Sequence, residues 1–196
     1  DVCDKGVGAA LFMTLFRSLI RATATNELTH HNKDLVALKP AERLQHIVSF
    51  TNQYLIQTHG ETNMFATIFI GVINLSQNTF TYINCGHEPA YWVQAAADIT
   101  PLLPGGPLVG ILPDAHYAAQ EIALNNNDLI LIYTDGVTDA QNTADEFLGK
   151  ARLLELLRAG EVSPARLLEV IETQLRGFTG QAHPFDDITM LAVSRG

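Results

Sequence analysis

The stretch Asp128-Leu129-Ile130-Leu131-Ile132-Tyr133-Thr134-Asp135-Gly136 decides how this chain folds. Leu129 to Tyr133 are consecutive apolar or aromatic residues. Successive strand residues point to opposite faces, so both faces of this segment are apolar. That pattern predicts a strand buried on both sides. The run stops at Thr134-Asp135-Gly136. A carboxylate at the end of a buried strand, followed by a glycine that lets the backbone turn, is held in a fixed place. Fixed carboxylates are what divalent metal sites require. Two other acidic positions suit the same cluster: Asp1 at the start of the sequence, and Asp186-Asp187 just before the last apolar stretch.

Outward from that strand, Tyr117–Leu124 and Leu129–Thr134 read as a hairpin, with Asn125-Asn126-Asn127-Asp128 as its turn. Further upstream, Phe65–Leu75 is apolar on both faces. Thr79–Asn84 alternates, Phe80 and Tyr82 against Thr79 and Thr81, which suggests a second strand in a hairpin with the first. A sharp turn at Cys85-Gly86-His87-Glu88-Pro89 leads to a short strand at Ala90–Val93, and Pro101–Gly110 reads as a loop. Downstream, Gly149–Arg158 is a short helix. Ser163-Pro164, an N-cap with proline at the first helical position, opens another to about Arg176, with Leu168, Ile171 and Leu175 inward. Ile188–Ser194 is the final strand.

The N-terminal third is helical. From about Val7 to Thr25, the residues Thr14, Arg17, Ser18 and Arg21 share one solvated stripe, leaving Ala10, Leu11, Phe12, Leu15, Phe16 and Leu19 to be mostly buried. Asn26–Lys39 reads as a loop containing His30 and His31. Pro40 starts a second helix with Leu44, Ile47, Val48 and Leu55 inward, and Gly60 is a natural stop. Strands are grouped rather than alternating with helices, so the class is α+β, a largely antiparallel sheet with helices outside.

The totals are those of a globular chain. Its 196 residues fit one domain, and 47% are apolar against 17% charged. A net charge of −9, from 12 Lys+Arg and 21 Asp+Glu, argues against a nucleic-acid or anionic-membrane binder and favours attraction of cations. No unbroken apolar run reaches the roughly 18 to 20 residues of a membrane span. Cys3 and Cys85 provide neither a disulfide framework nor zinc spacing, so a reduced, cytoplasmic setting is expected. The sequence opens on Asp-Val-Cys-Asp-Lys-Gly without an initiator Met, as expected of a fragment from which part of the domain is missing.

By spacing alone, Asp1, Asp135 and Asp186 each stand beside a strand end or turn, where aspartates also serve as turn formers and helix caps. Together they could hold Mg²⁺ or Mn²⁺, which prefer oxygen ligands. Two such ions roughly 3.5–4 Å apart activate water for in-line attack on phosphorus.

Several motifs then carry a resemblance. Asp-Val-Cys-Asp-Lys-Gly-Val at 1–7 resembles the Asp-Val-Ser-Gly-Lys-Gly motif of PPM-type metal-dependent serine/threonine phosphatases, in their bacterial SpoIIE/RsbU-like branch. Asn63-Met64-Phe65-Ala66-Thr67 resembles that branch's strand opening. Asn84-Cys85-Gly86-His87-Glu88-Pro89 is similar to its Asn-Ala-Gly-His-x-Pro turn, and Pro107-Leu108-Val109-Gly110 to its Pro-Leu-Gly. Tyr133-Thr134-Asp135-Gly136-Val137-Thr138-Asp139 resembles its Tyr-Thr-Asp-Gly-Val-Thr-Glu, and Phe185-Asp186-Asp187-Ile188-Thr189 its closing Asp-Asp-x-Thr.

The motifs keep the family order across nearly the whole chain. The resemblance implies a sandwich of two mainly antiparallel sheets flanked by helices. It also implies two Mg²⁺ or Mn²⁺ ions and direct water attack on phosphoserine or phosphothreonine, with no phospho-enzyme. By carry-over, Asp1 bridges both metals and the Val2 carbonyl supports one. Asp135 and Asp186 complete the first metal's shell, while Asp139 and Asp187 fit a second shell or an accessory ion. Lys5 and His87 are candidate substrate contacts, a steering cation and a proton donor, with a solvated turn lysine and a structural turn histidine as the alternatives.

The implied substrate is a phosphorylated anti-sigma-factor antagonist, and an upstream sensor or receiver domain is the implied regulator. Cys3 and Asp4 depart from the family's Ser and Gly, and the family's acidic ligand upstream of Asp1 has no counterpart. Absent strands would leave a sheet edge open to another chain, so a homodimer is an expected assembly. A catalytically weak, protein-binding version of the same domain is the non-enzymatic reading. A haloacid-dehalogenase-like mechanism is excluded, because Tyr133 stands where that family's nucleophilic aspartate would be.

Overall fold

The computed structural model describes residues 1–29, 38–62, 64–95, 98–159, 163–182 and 186–195. His30, His31, Asn63 and Phe185 lie outside them. In chain order the described elements are α1 (Val7–Thr29), α2 (Pro40–His59), β1 (Ile68–Asn74), β2 (Thr79–Cys85), β3 (Ala90–Val93), β4 (Ile99–Leu102), β5 (Gln120–Ala123), β6 (Leu129–Tyr133), α3 (Gly149–Arg158), α4 (Pro164–Thr179) and β7 (Met190–Ser194). They form two antiparallel sheets with flanking helices, β1-β2-β5 and β4-β3-β6-β7. The chain divides into two compact units, Asp1–His87 with Pro104–Ala123, and Glu88–Leu103 with Leu124–Gly196.

In the first unit, α2 starts at Pro40, and the Glu42 carboxylate accepts the Lys39 amide at 2.9 Å. Its inner face is the expected one: Leu44, Ile47, Val48 and Leu55 are buried, joined by Thr51 and Asn52. Gly60 does not end the helix in a left-handed turn. Its φ is −57° and the chain tightens into a 3₁₀ turn at Gly60–Thr62. The buried Asn52 amide donates to Leu112 O and accepts from Gly110 N, both at 2.8 Å, and so anchors the loop before β5.

Helix α1 corrects two expectations. It continues to Thr29, four residues into the expected loop. Its apolar surface is also only partly covered. Phe12 and Phe16 are buried and Leu15 and Leu19 half-buried, but Ala10 and Leu11 are exposed, Leu11 at 67%. A helix packed along one side buries the stripe repeating at i and i+4, and Leu11 lies off it. No unbroken apolar run of membrane-spanning length is present, since Thr14, Arg17, Ser18 and Arg21 interrupt it. By length and composition alone, Val7–Thr25 is long and apolar enough to cross a membrane, with 11% of it buried.

Strands β1 and β2 form the expected hairpin, in the register Ile70↔Ile83. The alternation in β2 does not mark a polar face, since Thr81 is buried with the rest. As the central strand it is covered on both sides, and Thr81 Oγ1 donates to Glu121 Oε2 at 2.7 Å. Burial pushes the Cys85 thiol up to about 12.

The second unit overturns the hairpin expected across Asn125–Asp128. β5 pairs with β2, whereas β6 pairs with β3 and β7. The reason lies in Asp128, which is buried. Its carboxylate accepts from Asn125 N at 2.9 Å, Ala95 N at 3.1 Å and Trp92 Nε1 at 3.1 Å, tying the start of β6 to β3. β4 falls partly in the expected Pro101–Gly110 loop. Pro101 is tolerated because β4 is an outermost strand, where a missing donor breaks no ladder. β6 itself is buried on both faces, as its sequence demands. Leu153 and Leu157 of α3 and Leu167, Ile171 and Leu175 of α4 fill this unit's core, with Leu167 in the place expected of Leu168, which is half-buried.

Two outcomes follow. Asp128→Ala leaves four donors, Asn125 Nδ2 being the fourth, without their acceptor and lowers stability by about 2–4 kcal/mol, read by denaturant titration of Trp92 fluorescence. Because the Cys85 thiol is raised, its contribution to stability is complete below about pH 9 and is lost as pH rises toward 12. At pH 8 an alkylating reagent should therefore label Cys3 in the native chain and reach Cys85 only after denaturation.

Candidate metal centre

In the second unit the acidic motifs are assembled by backbone. β6 ends at Tyr133, Thr134 is still extended, and Asp135–Val137 turns as one 3₁₀ unit. Thr134 joins this turn to the segment entering β7. Its amide donates to Thr189 O at 3.0 Å, its hydroxyl donates to Asp187 O at 3.1 Å, and that hydroxyl accepts the Thr189 amide at 3.0 Å. Gly136 is required here, because a Cβ at this position would collide with the Asp187 carbonyl. Asp135-Gly136 and Asp186-Asp187 are thus brought to one end of the β6–β7 pair. Asp139 N bonds Asp135 O at 2.8 Å, which closes the turn and brings Asp139 to the same end. Asp135, Asp139 and Asp186 are half-buried and Asp187 exposed. Asp186 Oδ1 is turned to Asp187 N at 2.8 Å.

Beneath this turn lies a group that sequence reasoning missed. Lys150 Nζ at the start of α3 stands 2.7 Å from Glu88 Oε2, and this bond is the first cause of the raised Lys150 pKa. Tyr91 and Tyr133 stack with ring centroids 5.9 Å apart. Burial, then Tyr91 and Glu88, push Tyr133 above the usual tyrosine range. Gly149 N to Thr138 O at 2.8 Å and Leu148 N to Ala140 O at 2.9 Å dock the head of α3 onto the acidic turn. The available signal was Glu88, a carboxylate inside the Gly-His-Glu-Pro turn.

In the first unit, Asp1 and Thr67 exchange both backbone hydrogen bonds, Thr67 N to Asp1 O at 2.8 Å and Asp1 N to Thr67 O at 2.9 Å. The next residue in an antiparallel ladder turns its own N–H and C=O the other way, so the Val2 carbonyl points away from this partner. The two departures from the family motif fit the backbone. Cys3 Sγ accepts the Phe65 amide at 3.2 Å, as a serine hydroxyl would. Asp4 has φ 71°, a left-handed conformation that suits glycine and that aspartate adopts more readily than most residues. Lys5 is exposed. His87 is buried, with its backbone N and O both bonded to the Asn84 side chain and its Nδ1 2.9 Å from Thr67 Oγ1.

The first unit therefore gathers Asp1, Thr67 and His87, and the second gathers Asp135, Asp139, Asp186 and Asp187. Among the described residues, no group of three or more His, Cys, Asp or Glu side chains is close enough to hold an ion. Taken unit by unit, the candidate donors are all oxygen, carboxylates in the second and the Asp1 carboxylate and Val2 carbonyl in the first, the chemistry that Mg²⁺ or Mn²⁺ prefers.

A family model described as Stage II sporulation protein E (SpoIIE) matches residues 1–196. The chain is 38% identical over 207 residues to the protein IcfG of Synechocystis sp. (strain ATCC 27184 / PCC 6803 / Kazusa), covering 100% of this chain and 33% of IcfG. It is 26% identical over 198 residues to RsbU of Bacillus subtilis (strain 168), a phosphoserine phosphatase, covering 100% of this chain and 54% of RsbU. It thus spans a third to about half the length of these relatives. Among solved structures, the SiaA-PP2C domain of Pseudomonas aeruginosa matches with a TM-score of 0.82 at 18% identity, covering 100% of this chain and 74% of that one. Motif order, sheet arrangement and a family match over the full length agree, and the chain belongs to the SpoIIE family and has the PP2C-type phosphatase fold.

Proposed function

We propose that this chain is a Mg²⁺/Mn²⁺-dependent serine/threonine phosphoprotein phosphatase. The observation that carries the reading is the meeting of Thr134-Asp135-Gly136 with Asp186-Asp187 at one strand end, within a family whose member RsbU is a phosphoserine phosphatase. Asp135 and Asp186 would hold a cation through their carboxylates, and the Asp1 carboxylate and the Val2 carbonyl would be further oxygen ligands. Asp139 and Asp187 serve an outer shell or an accessory ion. When bound, the cations supply a water nucleophile at neutral pH and offset phosphoryl charge. The water oxygen–phosphorus bond forms as the bond from phosphorus to the serine or threonine oxygen breaks, and that oxygen takes up a proton. Lys5, which is exposed, steers the dianion, and His87 donates the proton that the leaving oxygen takes up.

The substrate is a phosphorylated anti-sigma-factor antagonist, met in the cytoplasm, and a sensor or receiver domain elsewhere in the whole protein controls access. A second reading, a metal-poor protein-binding module, draws on the absence of a compact ligand cluster among the described residues.

Hydrolysis of p-nitrophenyl phosphate separates the two. Mn²⁺-dependent turnover is expected, with a loss of at least about 100-fold in Asp135→Asn while the fold is kept. A variant as active as the parent would remove Asp135 from the metal shell. Absence of turnover in the parent chain would favour the binding module. Gly136→Ala forces Asp187 away from the turn, so Mn²⁺ affinity measured by calorimetry should fall together with turnover.

A further inference from the structure

We propose that Thr67 is a positioning residue, whose hydroxyl holds the His87 imidazole on the same strand face as the Asp1 carboxylate. This rests on the reading of Asp1 as a metal ligand and of the chain as a phosphatase.

The geometry begins with the backbone. Asp1 and Thr67 exchange both of their main-chain hydrogen bonds. Residues paired in this way sit directly opposite each other, about 5.5 Å apart at Cα, with their side chains leaving the same face. The Thr67 side chain is therefore the cross-strand neighbour of the Asp1 carboxylate. The segment bearing Thr67 is clamped on its other edge, where Ala66 and Val109 also exchange both bonds, Ala66 N to Val109 O at 3.0 Å and Val109 N to Ala66 O at 2.9 Å. Asp1 is thus one rung of a ladder fixed from both sides.

From that face, Thr67 Oγ1 reaches His87 Nδ1 at 2.9 Å. His87 arrives from a different part of the fold, the turn after β2, where Gly86 takes φ 69° and the Asn84 amide grips His87 N at 2.8 Å and His87 O at 3.0 Å. The residue is 8% exposed, so the side chain has little freedom of its own. A hydroxyl can donate to Nδ1 or accept from it, and either choice assigns the opposite role to Nε2. The Thr67 bond therefore fixes the orientation of the imidazole and links its tautomer to the direction in which the hydroxyl points.

The position of Thr67 between Asp1 and His87 couples the proposed metal side of the site to the proposed proton donor. The hydroxyl, rather than the bulk of the side chain, is the working part.

The test uses the 196-residue chain and the variants Thr67→Val, Thr67→Ser and His87→Ala, alone and with Thr67→Val in combination. Two readouts are taken: kcat and KM for p-nitrophenyl phosphate with Mn²⁺, and the ¹⁵N resonances of the His87 ring in metal-free protein. Thr67→Val should lower kcat about 10- to 100-fold with little change in KM. Thr67→Ser should recover most of the loss. The double variant should be no worse than His87→Ala, because the two residues act as one. The ring resonances should show one tautomer in the parent and in Thr67→Ser, and a mixture in Thr67→Val. The proposal is overturned if Thr67→Val keeps the parent kcat, if the two losses multiply, or if the tautomer is unchanged. A parent chain without Mn²⁺-dependent turnover overturns the phosphatase reading first, and this role with it.

Discussion

Thr134 is the residue through which a buried strand becomes an acidic turn. A strand covered on both faces has one free end at which to display polar groups, and the backbone there must still be satisfied. Thr134 meets this with its amide and its hydroxyl, both committed to the segment entering β7. The hydroxyl bonds Asp187 O and Thr189 N together, so the two acidic motifs are set against each other by main-chain bonds. Their carboxylates need not attract one another to meet. That matters because like charges repel, so it is main-chain bonding that sets the two acidic segments side by side.

A different solution serves Asp1. It stands in a ladder with Phe65–Thr67, itself paired to Val109, so a short extended segment gains the rigidity of a sheet from neighbours on both sides. Both departures from the family motif are conservative in this backbone sense. Cys3 offers an acceptor to Phe65 N, and Asp4 tolerates a positive φ. What changes is chemistry facing solvent, while the path of the chain is kept.

The sequence was legible where a local pattern determines a local outcome. The double-sided burial of Leu129–Tyr133, the hairpin of β1 with β2, the bounds of β3 and α3, and the inner face of α2 are all set by periodicity and turn residues. Reading failed where the deciding partner is distant. A polar turn at Asn125–Asp128 looks like any hairpin turn, and only the contact of Asp128 with Trp92 and Ala95 sends β5 and β6 to different sheets. Pro101 looks like a loop residue until its strand is known to lie outermost. Leu11 is as apolar as Phe12, and exposure depends on which side of α1 has a neighbour. The aspartates of the candidate site were visible as residue types, whereas Thr67 and Lys150 were not, since their meaning comes from partners 20 or more residues away in sequence.

The pairing of β6 with β7 also sets an order of events in time. Tyr133 lies opposite Met190, and the whole of α3 and α4 separates them along the chain. Closing so long a loop is entropically costly, and contacts of this kind form late in folding. A nascent chain that has already folded its first hairpin still keeps Asp135 and Asp187 apart. Their meeting requires β7, the last strand of the chain, so a chain stopped short of it has no acidic end on this sheet.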